Sequence, residues 1–227
     1  MNSLLPENII RWGGLAALAG GVIGILYFPF HASAYFATQD GAAALDAPWV
    51  AVWAEPFTRV FDPLLTFAPP HEVYTTFGKF LVLVVLGFLA GVLALHSRQG
   101  QAARPGGLEK WGFRVLLIGT LLGSVGAFGE YYTPYLDFSF FAFSAPGIVL
   151  MMFGSLLFGF ATLRLGMMSR LGGWLLTFGG FPGIVVMSVL VGHLSGGLVL
   201  LDCAWVVLGY ALWTRRGGPA EDSPRVR

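Results

Sequence analysis

The residues able to do chemistry in this chain are few, and most belong to one side of its apolar segments. Asp202 stands inside an apolar run, about five residues past the turn Ser195-Gly196-Gly197. At 1.5 Å per residue that is ~7 Å into a helix. A carboxylate at the centre of a membrane helix costs about 2.5–3.5 kcal/mol, and less near its end, so Asp202 must face protein and either find a partner or hold a proton. His193 lies almost symmetrically across the same turn, so an antiparallel helix pair would bring His193 and Asp202 within reach of each other. Lys79 near the outer end of the second apolar segment and Glu130 at the outer end of the third fall at similar depth. Tyr131 and Tyr132, in the run Tyr131-Tyr132-Thr133-Pro134-Tyr135, are placed to wall a pocket, and His31 and His71 lie at that surface too.

These groups admit three readings. In the first they are structural: Lys79 snorkels or pairs with Asp202 and Glu130, and the histidines are ordinary interface residues. In the second, Asp202, Glu130, His193, Lys79, Tyr131 and Tyr132 bind a ligand. The carboxylates and tyrosines then form an outward-facing pocket for a cationic or amphipathic molecule, or the polar lining of a proton-coupled path. In the third, His31, His71 and His193 converge on a metal or haem. No two histidines are spaced i, i+3 or i, i+4, the single cysteine Cys203 lies in an apolar run, and His96 belongs to the opposite face. No cofactor is therefore expected from any motif, and a haem or metal would need purely tertiary convergence. The chain also has no Gly-x-Ser-x-Gly, no phosphate loop and no His-Glu-x-x-His, which excludes the motif-bearing hydrolases and nucleotide-driven pumps. Retinal attachment would need a lysine deep in the last helices, and neither Lys79 nor Lys110 is there.

The elements that hold these residues are set by composition. The chain is 11% charged and 56% hydrophobic over 227 residues, with a mean hydropathy of +0.74, where a soluble domain is about 25% charged. Such a chain needs lipid as its solvent, and nothing in a net charge of +1 points to nucleic acid. Apolar windows of roughly 20 residues, the length that crosses a ~30 Å hydrocarbon core, fall near 9–30, 74–95, 112–128, 146–163, 174–194 and 198–213. They predict an all-α integral membrane protein with a six-transmembrane-helix bundle, forming a single domain over 1–216 with a disordered cytoplasmic tail at 217–227. The first window has no Ala-x-Ala stop and is expected to stay attached as a span. Arg11, Arg98, Arg104, Lys110, Arg114, Arg164, Arg170, Arg215, Arg216, Arg225 and Arg227 all fall on one side, with only Arg59 and Lys79 elsewhere. Asp40, Asp46, Glu55, Asp62, Glu72, Glu130 and Asp137 collect on the other. The positive-inside rule then predicts cytoplasmic N- and C-termini.

Within the outer loop 31–73, Trp49, Trp53, Phe57 and Phe61 recur every four residues after Asp46 as N-cap and Pro48 in the first turn. That spacing predicts an interfacial amphipathic helix, broken by Pro56 and Pro63, that anchors in the aromatic belt. Three spans begin alike: Arg11-Trp-Gly13 with Gly20 and Gly24, Lys110-Trp-Gly112 with Gly119 and Gly123, and Arg170-Leu-Gly172 with Gly179 and Gly183. The equal spacing suggests three helical hairpin repeats whose Gly-x-x-x-Gly faces pack against neighbours. In the fifth span Gly179-Gly180-Phe181-Pro182-Gly183 predicts a kink or local unwinding.

The stretch Gly159-Phe-Ala-Thr-Leu-Arg164, then Arg170-Leu-Gly172-Gly173-Trp174, and on to Gly209-Tyr-Ala-Leu-Trp213-Thr-Arg-Arg216 resembles small uncharacterised six-helix bacterial membrane proteins of the DUF4386-like group. The resemblance implies a bacterial inner membrane and a six-helix bundle, and it implies no activity. The expectation is a non-catalytic membrane protein, an accessory subunit or a binder of a small ligand or lipid, working with the bilayer and with a membrane protein partner or further copies of itself. The alternatives are a small proton-coupled transporter using Asp202 and the broken fifth helix, and a haem, quinone or metal-dependent membrane enzyme.

Overall fold

The computed structural model describes residues 5–102, 106–166 and 168–214. Among them there is no strand; the chain is helix joined by short turns. Its helices are α1 (Glu7–Phe36), α2 (Pro48–Val60), α3 (Asp62–Leu65), α4 (Pro70–Gly78), α5 (Phe80–Ala102), α6 (Gly107–Tyr132), α7 (Leu136–Ser139), α8 (Ala145–Leu165), α9 (Arg170–Gly179), α10 (Phe181–Val191), α11 (Leu194–Gly197) and α12 (Val199–Thr214). The long helices expose large apolar side chains such as Leu26, Phe128, Phe153 and Val189. Helices that are apolar all round belong in lipid. The chain is an all-α, multi-pass membrane protein.

The six windows of the sequence do not become six long helices. Glu7–Phe36, Pro70–Gln101, Gly107–Tyr132 and Leu136–Leu165 are each long and apolar enough to cross, while α9 and α10 make a fifth span only if counted together across a 68° bend. Helix α12 has 16 residues, ~24 Å at 1.5 Å per residue, short of a ~30 Å core. The bend falls at the predicted Gly-Gly-Phe-Pro-Gly segment. Pro182 opens α10, and a Cβ on Gly180 would lie 2.5 Å from Ser155 Oγ and 2.6 Å from the Met152 carbonyl of α8. The break therefore lets α8 approach the chain where a regular side chain would hold it off. The predicted tail 217–227 and the bases Arg104, Arg215 and Arg216 lie outside the described residues.

Glycines decide which helices touch. Gly20 of α1 meets Gly87 of α5, where a Cβ would stand 3.0 Å from the Gly87 Cα, and Gly119 of α6 meets Met151 and Gly147 of α8 at 2.6 and 2.9 Å. Gly179 of α9 rests on Leu200 and Leu201 of α12 at 3.0 Å. In this way α1 packs on α5, α6 on α8 and α9 on α12. A further contact closes the bundle. Along α1 and α12, Gly14 faces Leu212, Gly21 faces Val206, and Gly24 faces Asp202, so the two helices run antiparallel over their shared length. Arg11 Nε donates to the Trp213 carbonyl at 3.1 Å, Arg98 pairs with Glu7 at 2.6 Å and Gln101 donates to the Leu5 carbonyl. These bonds gather the ends of α1, α5 and α12 into one end of the bundle, called here the proximal end.

The distal end is capped by α2. Its N-cap is Ala47 rather than Asp46, which ends a 3-10 turn (Ala42–Asp46), and Pro56 sits inside the helix instead of breaking it. Val50 and Ala54 are its buried positions, packed with Ala32 and Phe36 of α1 and Val191 of α10. Trp49 Nε1 donates to the Val189 carbonyl at 3.0 Å, and Phe57 and Phe61 both meet Phe30 at 5.0 Å between ring centres. The four-residue aromatic spacing was legible; the aromatic stripe and the neighbouring Val50 and Ala54 dock together.

Candidate functional site

A cavity of about 440 Å³ opens at the distal end. One helix supplies its spine. Tyr27, His31 and Tyr35 recur every four residues on α1, so side chains at that spacing line one face. Around them stand Tyr74 of α4, Glu130 and Tyr131 of α6, and His193 and Ser195 from the turn between α10 and α12. Leu81, Val85, Gly123, Ile148 and Met151 form an apolar floor, and the exposed Asp40 and Asp137 stand at the mouth.

The aromatic wall is a connected stack. His31 lies flat on Tyr74 (4.5 Å between ring centres, 9°) and meets Tyr131 edge-on at 5.5 Å and His193 edge-on at 5.0 Å. Tyr27 lies 5.5 Å from His31, and Tyr35 lies 4.6 Å from His193. The Tyr74 and Tyr131 hydroxyls are 3.4 Å apart. His193 is the N-cap of α11, and its Nδ1 accepts from the Ser195 N–H at 3.2 Å, with the Ser195 hydroxyl 2.8 Å away. An accepting Nδ1 leaves the proton of the neutral ring to Nε2. Gly192, at φ +79°, turns the chain into this position, which an L side chain would take only with strain.

The wall on the α8 side is made by a π turn, Phe140–Ser144, in which the Ala145 N–H donates to the Phe140 carbonyl. The wider turn points Phe140, Phe141 and Ser144 into the cavity. Such turns are rare and frequently mark working positions. Ser144 Oγ donates to Glu130 Oε1, and Tyr131 is a second hydrogen-bond partner of the same carboxylate, so the acid is held at the wall.

Two features bear on chemistry. The lining holds three acids, Asp40, Glu130 and Asp137, and no lysine or arginine. The second feature is that the buried polar atoms with no hydrogen-bond partner include both ring nitrogens of His31, the Tyr27 hydroxyl and both carboxylate oxygens of Asp202, beside single atoms of Ser33, Trp53, Gln99, Glu109 and Ser188. Buried polar atoms are nearly always paired, so a cluster of exceptions calls for an explanation by function. Asp202 is 1% exposed and its carboxyl group lies directly against Gly24 of α1, below the cavity rather than in its lining.

The sequence-predicted residues separate accordingly. Glu130, Tyr131 and His193 line the cavity. No hydrogen bond joins His193 to Asp202. Lys79 is exposed in the turn between α4 and α5, with its Nζ 5.8 Å from the Tyr132 ring, and among the described residues it pairs with neither Glu130 nor Asp202. Tyr132 is itself exposed and stacks on Phe128 outside the cavity. His31 and His193 meet, but His71 is exposed at the start of α4 and absent from the lining. Among the described residues no group of three or more His, Cys, Asp or Glu is placed to hold a metal. Sequence reasoning missed Tyr27, Tyr35, Tyr74, Ser144, Asp40 and Asp137. The signal for two of them was present: Tyr27, His31 and Tyr35 form a polar aromatic stripe at helical spacing.

A second polar group sits at the proximal end, where His96 Nδ1 lies 2.7 Å from Glu109 Oε1 and Gln99 Nε2 donates to Thr162 at 2.8 Å. No family model, no curated protein and no solved structure matches this chain.

Proposed function

We propose that this chain is a non-catalytic membrane protein that binds a small organic cation with an apolar body in its distal cavity, from the outer side of the membrane. The observation that carries the reading is a lining of tyrosine and histidine rings with three acids and, among the described residues, no lysine or arginine. Aromatic faces attract cations at about 0.5–2 kcal/mol each, more when desolvated. Glu130 offers an ammonium group an ion pair, and the acids at the mouth draw cations in. About 440 Å³ is within the range of small-molecule pockets. The apolar floor at Val85, Ile148 and Met151 suits the ligand's hydrocarbon part.

The topology that accompanies this reading has six crossings in a bacterial inner membrane, with both termini cytoplasmic and the cavity outward. Its support is the side-by-side, antiparallel course of α1 and α12, together with the basic residues Arg11, Arg98, Lys110, Arg114, Arg164 and Arg170 toward the proximal end. A protein partner or a second copy on the lipid-facing surface belongs to the same proposal.

Binding is tested on purified protein with alkyltrimethylammonium ions of graded length, matched neutral alcohols and matched carboxylates, by calorimetry. The cations bind, the neutral and anionic analogues do not, and Glu130→Gln weakens cation binding at least about tenfold, or 1.4 kcal/mol. Equal binding of the neutral analogues would end this reading. One observation favours a second, transport reading: the 68° break between α9 and α10, of the kind that lets half-helices move around a site. Counterflow of the same cation in proteoliposomes separates carrier from binder.

A further inference from the structure

We infer that Asp202 is a proton-binding site reached from the distal face through a ladder of side chains on α1, with Tyr27 as the last relay. This goes beyond the cation-binding reading and does not depend on it.

The geometry begins at the mouth. The Tyr35 hydroxyl donates to the Asp40 carbonyl at 3.3 Å, and its ring is 4.6 Å from His193. His193 meets His31 at 5.0 Å and His31 meets Tyr27 at 5.5 Å between ring centres. The Asp202 carboxyl group lies against Gly24, one turn below Tyr27 on the same helix. From position 35 to position 24 the ladder descends ~16 Å at 1.5 Å per residue. Every rung can give and take a proton, and the lower rungs are among the buried groups without partners: His31 at both nitrogens, Tyr27 at its hydroxyl and Asp202 at both oxygens, the three whose every side-chain polar atom is unpaired along the face where α1 meets the cavity and α12. Structural polar groups in a membrane interior are normally paired. Groups that carry protons need an unoccupied lone pair between transfers.

The occupant of Asp202 is a proton and not a metal ion. Gly24 has the Asp202 carboxyl atoms as its three nearest neighbours, Gly21 faces the Asp202 carbonyl and Val206, and among the described residues no further carboxylate, imidazole or thiolate completes a coordination shell. Of the titratable groups, Tyr27 stands one turn along α1 from Gly24 and Cys203 adjoins Asp202 on α12; among the described residues no ion pair or hydrogen bond reaches the carboxyl from α5, α9 or α10. Each uptake is a balanced transfer. An O–H bond forms on Asp202 as the Tyr27 O–H breaks. The tyrosine oxygen regains a proton from His31, which takes one up at its other nitrogen from a hydronium ion in the cavity, leaving water. The carboxyl changes from −1 to neutral, and one proton from the distal side is the only thing consumed.

Infrared spectroscopy of the full chain reconstituted in lipid tests this directly. The carbonyl stretch of a protonated carboxylic acid is expected at neutral pH, lost in Asp202→Asn and kept in Glu130→Gln. On exchange into D2O the band shifts, and Tyr27→Phe and His31→Phe slow that shift at least about tenfold while leaving the band itself in place. The inference is overturned if no such band exists, if Asp202→Asn retains it, or if both relay variants exchange at the parental rate. Should Asp202→Asn fail to fold, the relay variants and Glu130→Gln still decide, because they leave Asp202 in place. A cation that binds normally to Asp202→Asn while the band is gone separates this site from the ligand pocket.

Discussion

Gly24 and Asp202 are the closest side-by-side pair between α1 and α12, and each explains the other. The missing side chain on α1 is what lets a carboxyl group sit against the helix, and all three atoms nearest to a Cβ built on Gly24 belong to that carboxyl group. Gly24→Ala should therefore destabilise the bundle by about 1–3 kcal/mol through overpacking. Asp202→Ala vacates the same space, so the double variant should be more stable than the sum of the two changes implies, by roughly 1 kcal/mol or more. Thermal unfolding of the four proteins in one detergent measures this cycle. Additive losses would mean that the carboxyl lies elsewhere. At this scale the sequence was informative about polar residues inside apolar runs: Asp202, Glu130 and His193 stood out because water is absent there. It was silent about Tyr74, since membrane helices carry tyrosine as ordinary interface residues, whereas Tyr27 and Tyr35 were marked only by their four-residue spacing around His31. It also fixed the depth of Lys79 without its direction. The turn between α4 and α5 aims that amine at Tyr132 on the outside, away from Glu130.

Among the elements, α2 is held to the bundle by few contacts, and Gly192 is central to them. A Cβ at that position would stand 2.8 Å from the Val50 side chain and would also occupy φ +79°, a conformation that costs an L residue about 1–2 kcal/mol. Both effects favour release of α2, because the strain eases if the turn shifts and the clash eases if the helix leaves. Gly192→Ala is expected to raise amide exchange across 48–60 by about tenfold, the equivalent of 1.4 kcal/mol, with exchange in α6 and α8 unchanged. Uniform acceleration over the whole chain would show global destabilisation in place of an undocked cap. The aromatic repeat foretold the existence of α2 and the Gly-Pro cluster foretold the bend of the fifth span, because propensity and proline act locally. The buried face of α2 and the π turn at Phe140–Ser144 depend on what each element packs against, and a single apolar sequence does not encode them visibly.

For the whole molecule the prediction concerns the number of crossings, and it is argued from the contacts between α1 and α12. Helix α1 is long enough to span, and α12 lies antiparallel along it from Gly14 beside Leu212 to Gly24 beside Asp202. Arg11 bonded to the Trp213 carbonyl fixes the start of one helix at the level of the end of the other. A helix that accompanies a spanning helix over that length crosses most of the same hydrocarbon, and the short turn α11 with its N-cap His193 carries the chain over the remainder. The bilayer can thin by a few ångströms to meet a 16-residue helix, at fractions of a kcal/mol per Å. The expected result is an even count with the termini on one side. With Cys203 replaced by Ser, a cysteine at Asp137 should react with a membrane-impermeant maleimide added to intact cells, while cysteines at Lys110 and Arg164 should react only after the membrane is opened. Reporter domains active only in the cytoplasm should work when fused to either end. Opposite behaviour of the two fusions would make the count odd, turn α12 into a helix that does not cross, and remove the outward orientation on which the cation reading depends.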